Sequence, residues 1–209
     1  MEKKEKIINI ITAILCLTFV LVIMKFLLAG ESYLLLWVCY ITLFIIIIGL
    51  LKRNPYLILS QVIILLIPDL FWTFDFLYLV FAGHTLIDLA LYFPAQTLLQ
   101  KIVSLQHLYT VPLSIFAIYL MKMKKNYKVL LASLGEIVLI FFLTLLLVPE
   151  GKTDINCVRF TCLNINLNFL PYYLSWFLFA FGFAAISYFI MTSLPFLRKK
   201  ESTKNKKRF

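Results

Sequence analysis

The chain has 209 residues, of which 63% are hydrophobic and 14% charged, and its mean hydropathy is +0.97. Soluble domains are roughly half apolar, so this composition excludes an ordinary soluble domain. The formal net charge of +10 raises the question of nucleic-acid binding. No aromatic or glycine pattern accompanies the basic residues, so we predict no nucleic-acid partner.

Six apolar runs follow one another along the chain, at residues 7–29, 33–51, 56–81, 102–121, 129–148 and 170–197. Each is about as long as the 20-residue helix that crosses a bilayer core. The runs predict an all-α protein: one polytopic transmembrane helical bundle over residues 1–197, in a lipid bilayer. The first run is too long for a signal-peptide core and no small-residue cleavage site follows it, so we expect it to be retained as a helix.

The segment between the third and fourth runs, residues 82–100, is amphipathic and is interrupted by Pro94. The spans on either side need their linked ends on the same, outer side of the membrane. We therefore predict that the segment does not cross and forms a short interfacial or re-entrant helix at about 84–99.

Sixteen of the 20 basic residues lie at alternate ends of successive runs. The positive-inside rule then predicts that both termini are cytoplasmic and that the protein resides in the cell membrane. Residues 198–209 form a basic tail, which we predict to be disordered and to touch anionic lipid headgroups.

Ionisable residues within the runs are costly, at roughly 2.5–3.5 kcal/mol or more each at the bilayer centre, and so invite a functional explanation. At about 1.5 Å per helical residue, five of them fall in the outer half of the membrane. These are Asp69, Asp75, His84, Asp88 and His107. Glu136 lies nearer the inner surface, and its candidate partners are Gln61, at a similar depth, or a lysine.

His84 and Asp88 are four residues apart and would share one face of a helix. With Asp75 and His107 they could bind zinc or another divalent metal, leaving one position open for water. A His–Asp pair could instead perform acid–base chemistry. A third interpretation is that each histidine makes a single hydrogen bond to an aspartate in a packed polar core.

Aromatic residues surround the two aspartates of the third run: Phe71, Trp72, Phe74, Phe76 and Tyr78. Such a cluster could line a pocket for an amphipathic or cationic ligand, although ordinary core packing explains it as well. The candidate polar site thus comprises Asp69, Trp72, Asp75, His84, Asp88 and His107.

Four cysteines are present. Cys16 and Cys39 lie within apolar runs, as small core residues do. Cys157 and Cys162 lie in a loop predicted to be outside, where oxidising conditions favour a Cys157–Cys162 disulfide over two free thiols.

Three ordered motifs resemble an uncharacterised family of small prokaryotic polytopic membrane proteins. They are Pro68-Asp69-x-x-Trp72-x-x-Asp75-Phe76, then Ser104-Leu105-x-His107-x-x-x-x-Pro112, then Asp154-Ile155-Asn156-x-Val158. The cysteine pair and the segment around His84–Pro94 depart from the family pattern. The resemblance implies the transmembrane architecture and no activity.

Two functions remain open from the sequence. The first is a non-enzymatic membrane protein that binds or passes a small molecule or lipid through an outward-facing polar cavity. The second is a membrane-embedded enzyme, with or without a metal, acting on a lipid-linked substrate through Asp75, His84, Asp88 and His107. Convergence of those four residues would favour the enzyme, and separate partners would argue against it.

Overall fold

The structure, a computed structural model, describes residues 2–30, 32–149, 155–159 and 171–198. Within these ranges the chain is all-α, as predicted, and contains no strand. Its helices are α1 (Glu2–Ala29), α2 (Val38–Leu51), α3 (Pro55–Ala82), α4 (Leu98–Ser104), α5 (Gln106–Met121), α6 (Lys128–Leu147) and α7 (Tyr172–Ser193). Short 3-10 turns occupy Ser32–Leu36, Ile155–Cys157 and Pro195–Leu197.

Five helical segments in the described ranges are long and apolar enough to cross a membrane. Four of them are the single helices α1, α3, α6 and α7, and the fifth is the continuous segment Leu98–Met121 that contains both α4 and α5. The protein therefore has the character of a membrane protein. The second predicted span is realised as the 3-10 turn Ser32–Leu36 followed by α2, which has 14 residues. At 1.5 Å per residue α2 is about 21 Å long, so helix length alone does not establish the predicted count of six spans.

Helix α3 forms the centre of the bundle and packs against α2, α5, α6 and α7, while α1 packs against α2 and α5. Its first half is buried on every side, with Ile58, Val62 and Ile63 fully enclosed. Because lipid tails are as apolar as leucine, such helices associate through close packing and internal hydrogen bonds and not through water exclusion.

The outer surface of the bundle is apolar. Leu28, Phe81 and Leu146 are each more than three-quarters exposed. Several serine and threonine hydroxyls, by contrast, are buried inside the bundle. They donate hydrogen bonds to carbonyls in the preceding turn of their own helix, as the Thr12 hydroxyl does to the Ile8 carbonyl at 2.7 Å. Buried hydroxyls in a mostly apolar interior, together with an apolar exterior, fit a bilayer as solvent, because polar groups there find their partners inside the bundle.

The start of α1, the α2–α3 turn, the α5–α6 connection and the end of α7 gather at one end of the bundle, which we call the basic end. Arg53 forms an ion pair with Glu5 at 2.9 Å. Lys122 donates to the Phe196 carbonyl at 2.6 Å, and the Met123 amide donates to the Leu197 carbonyl at 3.0 Å. Which side of the membrane this end faces stays a prediction, and the tail residues 199–209 lie outside the described ranges.

The predicted short helix at about 84–99 is wrong. Helix α3 ends at Gly83, whose φ of +78° is the left-handed conformation that glycine adopts readily at helix ends. Bends and turns follow until Thr97, which caps α4 through a reciprocal bond with Gln100. The Asp75 side chain accepts three amides of this loop, those of Leu86, Ile87 and Ala90, which in a helix would donate to carbonyls of the preceding turn.

A break separates the turn Ser32–Leu36 from α2, and Asn156 fills it. The Val38 amide donates to Asn156 Oδ1 at 2.8 Å, and Asn156 Nδ2 donates to the Leu36 carbonyl at 2.8 Å. The side chain thus replaces backbone bonds that an unbroken helix would make. We call the end of the bundle that holds Asn156 and the 83–97 loop the loop end.

Candidate functional site

The most polar part of the bundle interior is an ion pair between α3 and α5. His107 Nδ1 lies 2.8 Å from Asp69 Oδ1, and both side chains are largely buried. Cys39 of α2 lies next to His107, so three helices meet at the imidazole. Asp69 follows Pro68 within α3, about 21 Å from the start of that helix at 1.5 Å per residue.

Trp72 covers the pair on the side of the loop end. Its ring centroid lies 4.7 Å from that of His107, and its indole N–H donates to the Tyr92 hydroxyl at 2.9 Å. The ring also stacks on Phe76 at 5.1 Å. Tyr92 belongs to the 83–97 loop, so this loop and Trp72 together cover the Asp69–His107 pair at the loop end of the bundle.

Gln106, the residue before His107, is only 2% exposed, and both atoms of its amide lack a hydrogen-bond partner among the described residues. Thr110 lies one turn further along α5 and is also 2% exposed, and its hydroxyl likewise lacks a hydrogen-bond partner among the described residues. Residues four apart share a helix face. One face of α5 therefore presents a donor, an acceptor and a hydroxyl to the interior.

Asp75 has a different task from Asp69. Its carboxylate is fully buried and accepts the amides of Leu86 at 2.7 Å, Ile87 at 2.8 Å and Ala90 at 2.8 Å. Hydrogen bonds of this charge-assisted kind are among the strongest available to a carboxylate. Asp75 therefore holds the loop in place.

The remaining two candidate residues lie on the surface of the loop. The His84 imidazole is 3.1 Å from the Ala82 carbonyl and meets the ring of Tyr78. Asp88 accepts the Thr85 hydroxyl at 2.7 Å and has a left-handed φ of +64°. The loop is not helical, so His84 and Asp88 do not share a helix face as predicted.

The four predicted metal ligands do not come together. Asp75 binds loop amides, His107 binds Asp69, and His84 and Asp88 contact their own loop. In the described part of the chain no group of three or more His, Cys, Asp or Glu side chains could hold a metal. The predicted zinc or divalent-metal site is therefore not formed by these residues, because each of them has a separate partner.

A second polar contact joins α3 to α6 nearer the basic end. Gln61 Nε2 donates to Glu136 Oε2 at 2.7 Å, so of the two predicted partners of Glu136, Gln61 or a lysine, the structure shows Gln61. The Ser133 hydroxyl adds a bond to the Ser60 carbonyl at 2.9 Å. One oxygen each of Gln61 and Glu136 has no partner among the described residues.

Of the predicted site, then, Asp69, Trp72 and His107 meet, while Asp75, His84 and Asp88 do not join them. Sequence reasoning missed Gln106, Thr110 and Tyr92. The first two carried a usable signal, since they are uncharged polar residues at helical spacing within an apolar run. Tyr92 carried none, because its position depends on the path of the loop.

The free cysteines in the described ranges are Cys16 and Cys39, and Cys157 is not among them. Cys162 lies outside the described residues, so the Cys157–Cys162 disulfide stays a prediction.

Comparison with protein-family models, with curated proteins and with solved structures gives no match. The family resemblance carried by the three motifs therefore stays a prediction as well.

Proposed function

We propose that this is a multi-pass membrane protein that binds a small polar molecule within the helix bundle, beside the Asp69–His107 pair. The observation that carries the proposal is the Gln106 amide, buried with neither of its polar atoms bonded to a described protein group. An unsatisfied buried amide costs about 1–3 kcal/mol by mutational measures, and more where no water is near. A residue kept at that cost is better explained by a ligand than by packing.

The polar groups define the ligand class. The Gln106 amide offers one donor and one acceptor side by side, and the Thr110 hydroxyl offers both. A carboxamide, a carboxylic acid or a similar group with adjacent donor and acceptor complements this pair. His107 follows Gln106 directly in α5, so a ligand at this amide would have the Asp69–His107 pair and the ring of Trp72 near it.

The enzyme alternative has no supporting observation. Its four residues have separate partners, and acid–base work by the Asp69–His107 pair would need a nucleophile or a substrate group beside it. Ligand binding without a reaction requires only the Gln106 amide and the Thr110 hydroxyl, which are present and unpartnered among the described residues.

The test is the stability of Gln106→Leu in detergent. Leucine is one side-chain atom shorter but similar in volume, and it removes two unpaired polar atoms, so we expect the free energy of unfolding to rise by about 1–3 kcal/mol. The matched control is Gln61→Leu, which removes a partner of Glu136 and should lower stability. Lower stability in Gln106→Leu would mean that the amide has a structural partner, and would end the proposal.

A second measurement tests binding itself. Acetamide and formamide, which each carry an adjacent donor and acceptor, are titrated against the purified protein, and the thermal unfolding midpoint is followed. We expect at least one probe to raise the midpoint of the wild type and to leave Gln106→Leu unchanged. Equal responses in both proteins would show that the probe acts elsewhere.

A further inference from the structure

A pocket at the basic end of the bundle has no part in the site proposed above. It has a volume of about 390 Å³ and is lined by Lys4, Glu5, Ile8, Arg53, Pro55, Leu120, Met121 and Lys122. At roughly 30 Å³ per liquid water, the space equals about a dozen water molecules. That is room for a headgroup, and far too little for a helix.

The charges in this pocket are not balanced. Arg53 is already committed, to Glu5 at 2.9 Å and to the Leu50 carbonyl at 2.7 Å. Glu5 is thereby neutralised. Lys4, in the exposed first turn of α1, and Lys122, at the end of α5, then leave the pocket with a positive charge.

Lys122 is held in position for such a role. Its ammonium donates to the Phe196 carbonyl at 2.6 Å and sits 3.8 Å from the centre of the Tyr119 ring. An ammonium has three N–H donors, so the contact with Phe196 leaves two. A cation fixed by the end of α7 thus shares the pocket with Lys4 of α1.

The rest of the lining is apolar: Ile8, Pro55, Leu120 and Met121. An inorganic anion would make no use of that surface, whereas a lipid acyl chain would. Basic pockets between transmembrane helices on the cytoplasmic side are known to bind anionic headgroups. The charge distribution of the chain predicts that this end is cytoplasmic.

We propose that the pocket between α1 and α5 binds the phosphate of an anionic phospholipid through Lys4 and Lys122, with the lipid chain against the apolar wall. The site is specific, and so differs from a general attraction of basic residues to a charged surface. It is also independent of the polar site beside Asp69.

The experiment uses full-length protein, delipidated in a neutral detergent, and follows its thermal unfolding midpoint. Dioctanoyl phosphatidylglycerol is compared with dioctanoyl phosphatidylcholine and with inorganic phosphate. The pocket variant is Lys4→Gln with Lys122→Gln. The control is Lys52→Gln with Lys125→Gln, which removes the same charge from exposed positions outside the pocket lining.

We expect phosphatidylglycerol alone to stabilise the wild type and the control. In the pocket variant the concentration needed should rise about fivefold for each lysine neutralised. Lys4→Gln alone, which keeps the Lys122 contacts, should show one such fivefold step even if the double variant fails to fold.

Three results would overturn the proposal. Equal weakening in the pocket variant and the control would mean diffuse surface attraction. Equal stabilisation by phosphatidylcholine would mean that charge is irrelevant. Full stabilisation by inorganic phosphate would mean that the ligand is a soluble anion and that the apolar wall has no role.

Discussion

Two aspartates on α3 show how one residue type serves two purposes in a membrane bundle. Asp75 is saturated by three backbone amides, and its value is structural. Asp69 faces a titratable side chain, His107, at 2.8 Å. A buried ion pair is not strong evidence for stability, because desolvation offsets much of the attraction. A charged pair within a membrane bundle therefore invites a functional explanation, as does the unpaired amide of Gln106 at the preceding position of α5.

This view gives a prediction for leucine substitutions of the pair. His107→Leu leaves the Asp69 carboxylate buried without its partner, which should cost about 3–5 kcal/mol of unfolding free energy. The double variant Asp69→Leu with His107→Leu removes both charges and should recover most of that loss. Equilibrium unfolding in mixed micelles measures both. Additive losses in the double variant would contradict the pairing.

At the level of single residues, the sequence predicted which buried polar side chains need a hydrogen-bond partner. It did not predict which groups serve as those partners. The cost of burying a charge predicted that Asp69, Asp75 and His107 matter, and the depth argument paired Glu136 with Gln61. The loop amides that satisfy Asp75 could not be predicted, since backbone donors are identical in every residue. Gln106 could be noticed as a polar residue in an apolar run, but the lack of a partner for its buried amide depends on tertiary packing, which no local pattern encodes.

At the scale of elements, the break before α2 depends on one residue that is distant in the chain. Asn156 bonds to the Val38 amide, the Leu36 carbonyl and the Thr144 hydroxyl, and its carbonyl accepts the Trp176 indole N–H. Its left-handed φ of +59° suits asparagine better than most residues. The motif Asp154-Ile155-Asn156-x-Val158 thus has a physical role at its asparagine.

Asn156→Asp is expected to destabilise the protein by about 2–3 kcal/mol. The carboxylate keeps the acceptor for Val38 but loses the donor for Leu36, and it places a charge where its partner is a carbonyl. Hydrogen exchange at the Val38 amide should quicken most in Asn156→Gly, which removes its acceptor, and less in Asn156→Asp, which keeps it. Asn156→Gly serves as the control for backbone strain, since it tolerates the φ but loses every side-chain bond. Unchanged exchange at Val38 in both variants would show that Asn156 does not hold the break.

The tight α2–α3 turn depends on Gly49. A Cβ there would lie 2.7 Å from Ile58 Cγ1 and 3.3 Å from the Ile58 amide nitrogen. We expect Gly49→Ala to destabilise by about 1–3 kcal/mol through overpacking. Gly135→Ala is the matched control, because nothing lies within 4 Å of its Cβ position and alanine favours a helix by about 1 kcal/mol. The thermal unfolding midpoint should fall in Gly49→Ala and rise in Gly135→Ala. A shift in the same direction in both variants would contradict the close approach of Gly49 to Ile58.

The sequence located the apolar runs well because the length and hydropathy of a span are local properties. It failed at residues 84–99 because the helical spacing of His84 and Asp88 was weighed without a competitor for the backbone amides of the segment between and after them. The Asp75 carboxylate, 11 residues or more away in the chain, is that competitor. Turn chemistry supplied by a neighbouring helix cannot be read from the segment itself.

At the scale of the whole molecule, the connections sort into two ends with different chemistry. The ion pair of Glu5 with Arg53 and the bond from Lys122 to Phe196 tie four chain segments together at the basic end. The 83–97 loop and Asn156 lie at the other. Charge alternation along the sequence predicted this grouping, because lysines and arginines resist transfer across the membrane. Which helices become neighbours was not predictable, since the apolar faces of the runs are nearly uniform.

The orientation of the two ends relative to the membrane can be tested by labelling single cysteines. In a variant whose four cysteines are alanine, single cysteines are placed at His84 in the loop and at Lys125 at the basic end, both of which are exposed. A membrane-impermeant maleimide added to intact cells should label His84→Cys and spare Lys125→Cys, because basic residues stay cytoplasmic. Permeabilised cells should label both, which controls for reactivity. Labelling of both in intact cells would place the two connections on one side, and the reverse pattern would invert the topology and place the lipid pocket outside.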